Sequence, residues 1–425
     1  MANERELALS VLSDIERNME SENQILKRAL DKEKNMEPRQ KAFITELTNG
    51  CVRHRLLLDC IISQSSTIPV EKIEPLILNI LRCAAYQMRF MDKVPARAAV
   101  FEAVSIAKAR GFAHLSGFVN GVLRGIDRKR ESLKLPDEGT PERLSIMYSF
   151  PMWMVRYFIE HFGMDAAISI CKAGACRPAI NICVNTLKTS ADALAEILKD
   201  EGMQALSVGA CGIRISHAHE MAAKKSFLDG LWHVMDESSM MAVDALDPQS
   251  GERVLDICAA PGGKTFYCAY KMKNAGSILS QDISEKKLKE LKKSASRLGI
   301  SIIETKAIDA RMASGIAEDA DRLLIDAPCS GLGVAGRKPG IKYTKTMDDI
   351  RSLSELQRQI LESTWMRVKK GGILVYSLCT YTSEECEENT DWFLQRFPFR
   401  LVFKEKNLPC SDGRDGFFIA KLERI

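Results

Sequence analysis

No run in this sequence is long and apolar enough to span a bilayer, which takes about 20 apolar residues in a row. No secretory pattern opens it either: the first residues, MANERELALSVLSDIERN, are rich in charge. None of its 13 cysteines are spaced C-x-x-C. Without a signal, these cysteines are expected to stay thiols in a reducing cytosol, and without paired ligands no zinc site is expected. An excess of one charge sign is missing as well, since 60 Lys and Arg face 56 Asp and Glu. The resulting formal charge of +4 permits a nucleic-acid partner without requiring one, so local clusters decide. What remains is a cytoplasmic, multidomain globular protein: 425 residues exceed one small domain, and 46% hydrophobic with 27% charged residues suits folded chains.

The first part, residues 1–135, has no strand-like segment. Leu7, Val11, Leu12 and Ile15 recur at helical spacing, as do Phe43, Leu47 and Cys51, then Leu76, Ile80, Leu81 and Ala84. Pro69, Pro75 and Pro95 fall at helix starts or joints. A compact all-α bundle is expected, with Cys51, Cys60 and Cys83 as small core residues. Arg39, Lys41, Arg53 and Arg55 form one basic group; Arg124, Arg128, Lys129, Arg130 and Lys134 form another. Each reads either as a solvated helix face or as an RNA-contacting one. Leu135 to Arg143, LPDEGTPER, is a linker candidate. Residues 136–235 then read as a small α+β unit. It has a helix burying Trp153 and Phe158, and strands at Ile180 to Leu187 and Ile213 to Ala218. Such open sheets often serve as RNA-binding platforms, here by analogy only.

From residue 236 to 425, apolar strands alternate with helices, which predicts a parallel sheet covered on both faces. Its key stretch is Arg253 to Thr265, RVLDICAAPGGKT. Val254, Leu255 and Ile257 make a buried strand, and a turn of small residues leads into a helix. A phosphate-binding Walker loop would need glycine where Cys258 stands, so that alternative fails. Ligands bind such sheets off the strand carboxyl ends. There Asp282, closing the second strand, could bind ribose hydroxyls or cap a helix, a job Ser284 could share. Asp309, at the end of the third strand, could take an adenine amino group or cap the next segment. Lacking a fully glycine-built phosphate cradle, the corner suits S-adenosyl-L-methionine better than a dinucleotide.

The fourth strand ends Asp326-Ala327-Pro328-Cys329 and the fifth ends Ser377-Leu378-Cys379. Two thiols on adjacent strand ends suit methylation of a pyrimidine at carbon 5. That carbon is a poor nucleophile until a thiolate adds to carbon 6 and makes the ring an enamine. A base must later remove the carbon 5 proton so that the thiolate can leave. Asp326 could hydrogen-bond or protonate ring nitrogen 3 during attack.

DICAAPGGKT, DAPCSGLG, RKPGIKY and the YSLCTYT…EEN stretch together resemble the Nop2/Sun family of RNA cytosine carbon-5 methyltransferases. RQKAFITELTNG, DKVPARAAVFEAV and GFVNGVLR resemble the NusB-like module of its bacterial Sun/RsmB branch, and FPMWMV, RPAINICVNTLK and DESS resemble its middle part. The resemblance implies a NusB-like helical RNA-binding domain, a small α+β RNA-binding domain and a Rossmann-like class I methyltransferase domain. It implies methylation of 16S ribosomal RNA with S-adenosyl-L-methionine, no metal and a monomer. By the same resemblance the cofactor contacts fall on Cys258, Ala259, Ala260, Pro261, Gly262, Gly263, Lys264, Asp282, Asp309 and Asp326. The nucleophile falls on Cys379 and the product-release cysteine on Cys329. Leu378, Cys183 and Met235 stand where the family usually has Thr, Arg and Gln. A transfer-RNA substrate, a non-catalytic assembly factor and a small-molecule methyltransferase are the rival readings. The binder has no use for two thiols beside Asp326, and the last has no use for two amino-terminal domains.

Overall fold

The computed structural model describes residues 4–17, 22–33, 35–216, 220–312, 320–410 and 413–425. By packing, the chain forms two units, Met1–Cys176 with Ala335–Thr344, and Arg177–Val334 with Lys345–Ile425. Among the described residues no helix is long and apolar enough to cross a membrane.

The first unit is helical. It runs through α1 (Glu4–Arg17), α2 (Glu22–Lys32), α3 (Pro38–Arg53), α4 (Arg55–Ser63), α5 (Pro75–Phe90), α6 (Ala96–Ala109), α7 (Ser116–Arg128), α8 (Pro141–Tyr148) and α9 (Met152–Ala175). Prolines mark the starts as expected. Pro75 opens α5 behind Glu74, whose carboxylate accepts the Ile77 N–H at 3.0 Å. Leu12, Leu47, Cys51, Ile80, Leu81 and Ala84 are buried, with Leu7, Ile15, Phe43 and Leu76 packed against them. Each fully buried leucine or isoleucine contributes about 1.5–3 kcal/mol, so this stripe outweighs any propensity term. Arg82 is buried among these helices and donates to both oxygens of Asp59, at 2.7 and 2.8 Å, and to Glu16 at 2.8 Å.

Three details differ from the sequence reading. Cys60 is only partly buried, its sulfur meeting the Gln64 amide at 3.4 Å. Trp153 is partly buried, because the apolar stripe of α9 runs through Met154, Val155, Tyr157 and Phe158. Of the basic groups, Arg53 is buried and donates to the Gly336 carbonyl at 3.2 Å, and Arg55 lies over the Tyr343 ring. Arg39, Arg124, Arg128, Lys129, Arg130 and Lys134 are exposed.

In the second unit, β1 (Ile180–Val184), α10 (Ala191–Asp200), β2 (Gln204–Val208), β3 (Gly212–Ser216), α11 (Lys225–Leu228) and β4 (Trp232–Val234) build a small α+β fold. Its sheet is antiparallel in the order β2-β3-β1-β4. β2 escapes a sequence reading because its side chains are mostly exposed and lack apolar alternation, and β4 because it is three residues long. The predicted strand end at His217 and Ala218 lies outside the described residues.

There follow α12 (Glu237–Leu246), β5 (Arg253–Ile257), α13 (Gly263–Lys271), β6 (Ser277–Asp282), α14 (Glu285–Leu298), β7 (Ile303–Ala307), β8 (Ala320–Asp326), α15 (Ile341–Thr344), α16 (Met347–Thr364), β9 (Val368–Leu378), α17 (Glu387–Arg396), β10 (Phe399–Asn407) and β11 (Phe417–Arg424). The seven strands lie in the order β10-β11-β9-β8-β5-β6-β7. Five are parallel, as expected, but β10 and β11 run antiparallel at one edge, so the sheet is mixed. Apolar layers cover both faces, one around Val243, Phe266 and Leu291, the other around Ile360, Leu361 and Phe393. Leu378 is buried in the second layer, and Cys183 and Met235 in the first. All three departures from the family pattern are core positions. From β5 the chain winds to β6 and β7, then returns to β8 on the other side of β5. That reversal is a topological switch point at the carboxyl ends of β5 and β8, where such sheets bind their ligands.

Residues 335–344, although they follow β8 in sequence, belong to the helical unit. Glu22 accepts the Gly340 N–H at 3.2 Å, and the Tyr343 hydroxyl donates to the Ser149 carbonyl at 3.0 Å. Lys342 is fully buried over the Phe150 ring and donates to the carbonyls of Arg53 and Tyr148 at 3.0 and 3.2 Å. Burial first, then the nearby Arg53 charge, lowers its pKa to about 7. An unfolded lysine titrates near 10.4, so between about pH 7 and 10.4 the unfolded chain binds more protons. Stability must therefore climb with pH across that window. The penalty is fully present below pH 7 and absent above 10.4. Lys342→Met is expected to remove about 2–4 kcal/mol of the rise in unfolding free energy between pH 7 and pH 10. Denaturant titrations of both proteins check this, and an equal rise in both would exonerate Lys342.

Candidate active site

The cofactor corner starts from β5, where Val254, Leu255 and Ile257 are buried between β6 and β8. The turn that follows bends sharply. Cys258 has φ +62°, the Ala260–Pro261 bond is cis, and Gly262 has φ +108°. A Cβ on Gly262 would lie 2.7 Å from both Leu291 Cγ and Phe266 Cζ, so only glycine meets both demands there. The Ala259 N–H donates to the Gln281 carbonyl at 2.8 Å, and the Ala260 N–H to Asp282 Oδ2 at 3.2 Å. The other Asp282 oxygen accepts the Ser284 N–H at 2.8 Å. Ser284 itself caps α14 through the Lys287 N–H. The capping task thus goes to Ser284, and Asp282 fastens the end of β6 to the turn.

Beneath the turn lie residues the sequence reading passed over. Asp256, a lone carboxylate in an apolar strand, is buried and accepts the Thr265 hydroxyl at 2.5 Å; its Oδ1 has no partner. Burial raises its pKa to about 7. His233 of β4 sits 3.1 Å from the Gly263 carbonyl and 3.2 Å from the Tyr270 hydroxyl. Burial lowers its pKa to about 3, so it braces the turn as a neutral ring. The signal for Asp256 was its charge amid Val-Leu-Ile; nothing local marks His233.

The register of β8 and β9 pairs Asp326 with Ser377, bringing the loops after both strands together. Cys329 Sγ and Cys379 Sγ are 3.3 Å apart. The contact with Cys379, then burial, pushes the Cys329 thiol well up. Asp326 meets the Lys264 amine at 2.7 Å and accepts the Ser377 hydroxyl at 3.0 Å. Asp282 thus fastens to the turn, Lys264 at its end pairs with Asp326, and the two thiols lie on the loops that follow Asp326 and Ser377. Burial, then the charge of Asp282, raises the Cys258 thiol to about 12, which makes it a poor nucleophile. Asp309 follows the end of β7 by two residues rather than closing the strand, and its carboxylate grips Arg311 at 2.6 Å. Those hydrogen bonds from Arg311 hold its carboxyl below the usual range. Among the described residues no group of three His, Cys, Asp or Glu is placed to hold a metal ion.

S-adenosylmethionine suits these residues. The first turn of α13 has a glycine before it and no side-chain cap, leaving helix N–H groups for a carboxylate. A Cβ on Gly263 would meet Met235 at 3.8 Å, an ordinary contact, so nothing there demands glycine. Asp282 supplies a carboxylate at the carboxyl end of the neighbouring strand. Fold and corner together define an S-adenosylmethionine-dependent methyltransferase, with two thiols on the loops that follow β8 and β9.

Comparison with known proteins narrows the class. Residues 243–423 match the profile described as 16S rRNA methyltransferase RsmB/F, residues 2–128 the NusB family, and residues 150–222 the ferredoxin-like domain of RsmF/B-like methyltransferases. A probable ribosomal RNA small subunit methyltransferase B of Bacillus subtilis is 37% identical, covering 99% of this chain and 98% of that one. The ribosomal RNA small subunit methyltransferase B of Serratia proteamaculans is 32% identical over 92% of each. The crystal structure of PH0851 superposes with a TM-score of 0.82 at 27% identity, covering 100% of this chain and 99% of that one. The chain belongs to the RsmB/F family of 16S rRNA cytosine-C5 methyltransferases.

The crowding at Gly262 carries its own test. Gly262→Ala forces a side chain into both a positive φ and the Leu291–Phe266 contact, and is expected to lower stability by about 2–4 kcal/mol. Thermal unfolding that matches the parent protein would show that the turn tolerates a Cβ.

Proposed function

We propose that this chain converts one cytosine of 16S ribosomal RNA to 5-methylcytosine through a covalent bond from Cys379, with Cys329 releasing the product. The observation that carries the reading is the 3.3 Å approach of the two sulfurs beside the Asp326–Lys264 pair. Cys379, as thiolate, adds to carbon 6 of the cytosine. Asp326 accepts or returns a proton near ring nitrogen 3, and Lys264, 2.7 Å away, can supply it and offset the charge that develops. Bound S-adenosylmethionine supplies an electrophilic methyl group for carbon 5. Cys329, directly or through a water, then removes the carbon 5 proton, and the Cys379 sulfur leaves as carbon 5 and carbon 6 regain their double bond. Cys258 to Lys264 hold the methionine end of the cofactor; Asp282 holds its ribose, and Asp309 lies toward its base. The protein works as a monomer in the cytoplasm. Exposed Arg124, Arg128, Lys129 and Arg130 on the helical unit support a phosphate-contacting role for that module.

Asp282→Ala is expected to weaken S-adenosylmethionine binding by about 1–3 kcal/mol, the loss of ribose hydrogen bonds from a buried acceptor. Calorimetric titration giving unchanged affinity would remove Asp282 from the cofactor site.

The two thiols differ in a way that denaturing gels can read. Cys379→Ala has no nucleophile, so it should neither methylate nor form a protein–RNA adduct. Cys329→Ala should attack and methylate once, then stall with RNA joined through the Cys379 thioether, visible as a slow band. The reverse pattern would swap the two roles, and a band in neither variant would remove Cys329 from product release.

A further inference from the structure

Glu385 is fully buried, and the mechanism above leaves it unused. Its Oε1 accepts the Ser330 N–H at 2.8 Å and the Gln357 amide at 3.0 Å. Its Oε2 accepts the hydroxyls of Ser330 at 2.5 Å and Thr382 at 2.7 Å. Four hydrogen bonds satisfy both carboxylate oxygens and hold the group in place. These donors come from the loop after β8, from α16 and from the loop after β9. Ser330 directly follows Cys329, and its hydroxyl also lies 2.8 Å from that of Thr380, which directly follows Cys379. Gln357 grips the other side of Cys329 by donating to the Pro328 carbonyl at 2.9 Å. Its own oxygen accepts from Tyr376 at 2.8 Å and Asn389 at 2.9 Å.

We propose that Glu385 is a positioning residue for methyl transfer: through Ser330 and Thr382 its buried carboxylate clamps the Cys329 and Cys379 loops together, so that both sulfurs face one base. The inference rests on the two-thiol mechanism above and adds a residue that touches neither substrate nor cofactor. Its charge matters beyond its shape. Cys329 faces Cys379, Glu385 and Asp326, and Lys264 is the cation paired with Asp326. The negative charge of Glu385 adds to the Cys379 contact and to burial in keeping the Cys329 thiol protonated. Without that charge, Cys329 ionises at lower pH.

The test uses the full-length protein and two 16S rRNA transcripts, one ordinary and one made with 5-fluorocytidine. Fluorine replaces the carbon 5 proton, so the thioether cannot be released and the band reports attack alone. Glu385→Gln keeps the size of the side chain but leaves one acceptor oxygen where four hydrogen bonds met two, so the clamp loosens as the charge is lost. It is expected to slow turnover about tenfold or more. S-adenosylmethionine affinity and KM for RNA should stay within about threefold. The acid limb of the release rate should move to lower pH. Glu385→Asp keeps the charge and is expected to hold that limb in place while slowing attack on the fluorinated RNA. Thr382→Val removes one donor, leaves the charge, and should slow attack without moving the limb. Turnover and limb both unchanged in Glu385→Gln would overturn the proposal. So would slower turnover that only tracks a lower melting temperature, with the limb unmoved. Should Glu385→Gln fail to fold, an unchanged attack rate in Thr382→Val overturns it. Cys379→Ala keeps the two readings apart: an adduct there defeats the two-thiol mechanism, whereas no adduct there with an unaltered Glu385→Gln defeats this inference alone.

Discussion

The register of three neighbouring parallel strands is the constraint on which the site depends. Ile257 lies opposite Ile325, and Asp326 opposite Ser377, so β5, β8 and β9 end at one level. A slip of one residue would turn every side chain to the opposite face. Asp326 would then leave Lys264, and the loops bearing Cys329 and Cys379 would part. Apolar layers on both faces enforce the register, because Leu255, Ile257, Leu323, Ile325, Leu374 and Tyr376 share one face and are all buried. The chemistry sits in loops, but its geometry is set by packing in the strands.

Buried polar groups then hold the loops more tightly than strand ends alone could. Asp282 reaches across to the Ala260 N–H, His233 steadies the Gly263 carbonyl, and Glu385 gathers the segments around both thiols. Each lies where desolvation is severe, so each is stable only with its partners in place. Asp256 shows the alternative outcome. Burial pushes it toward neutrality, to about 7, with the Thr265 hydrogen bond opposing the shift. Glu385 accepts four hydrogen bonds where Asp256 accepts one.

Much of this was legible in the sequence because it rests on local rules. Helical spacing with prolines at the starts revealed the bundle. Apolar runs ending in Asp282, Asp326 and Leu378 revealed the central strands, and the pairing of Pro-Cys with Leu-Cys revealed the thiols. The missed features depend on non-local facts. β2 is a strand because it pairs with β3, not because of any pattern of its own. β10 and β11 carry apolar residues like any parallel strand, and only their pairing partners fix their direction. Glu385 lies between YSLCTYT and EEN, yet one glutamate among several says nothing of four hydrogen bonds converging from three segments.

The ten residues from Ala335 to Thr344 have a consequence for how the helical unit can be studied. They begin six positions after Cys329, within the catalytic half of the sequence, yet their partners are Glu22, Arg53, Tyr148 and Ser149. Removing residues 1–135 would therefore strip Glu22 and Arg53 from this segment and leave the backbone N–H of Gly340 and the amine of Lys342 short of acceptors. Buried donors left unpaired cost about 1–3 kcal/mol each. Such a truncation changes the segment that leads out of the Cys329 loop as well as any RNA contact. Charge reversal at exposed Arg124 and Arg128 isolates the electrostatic contribution of the module, because it leaves the anchorage of Lys342 intact.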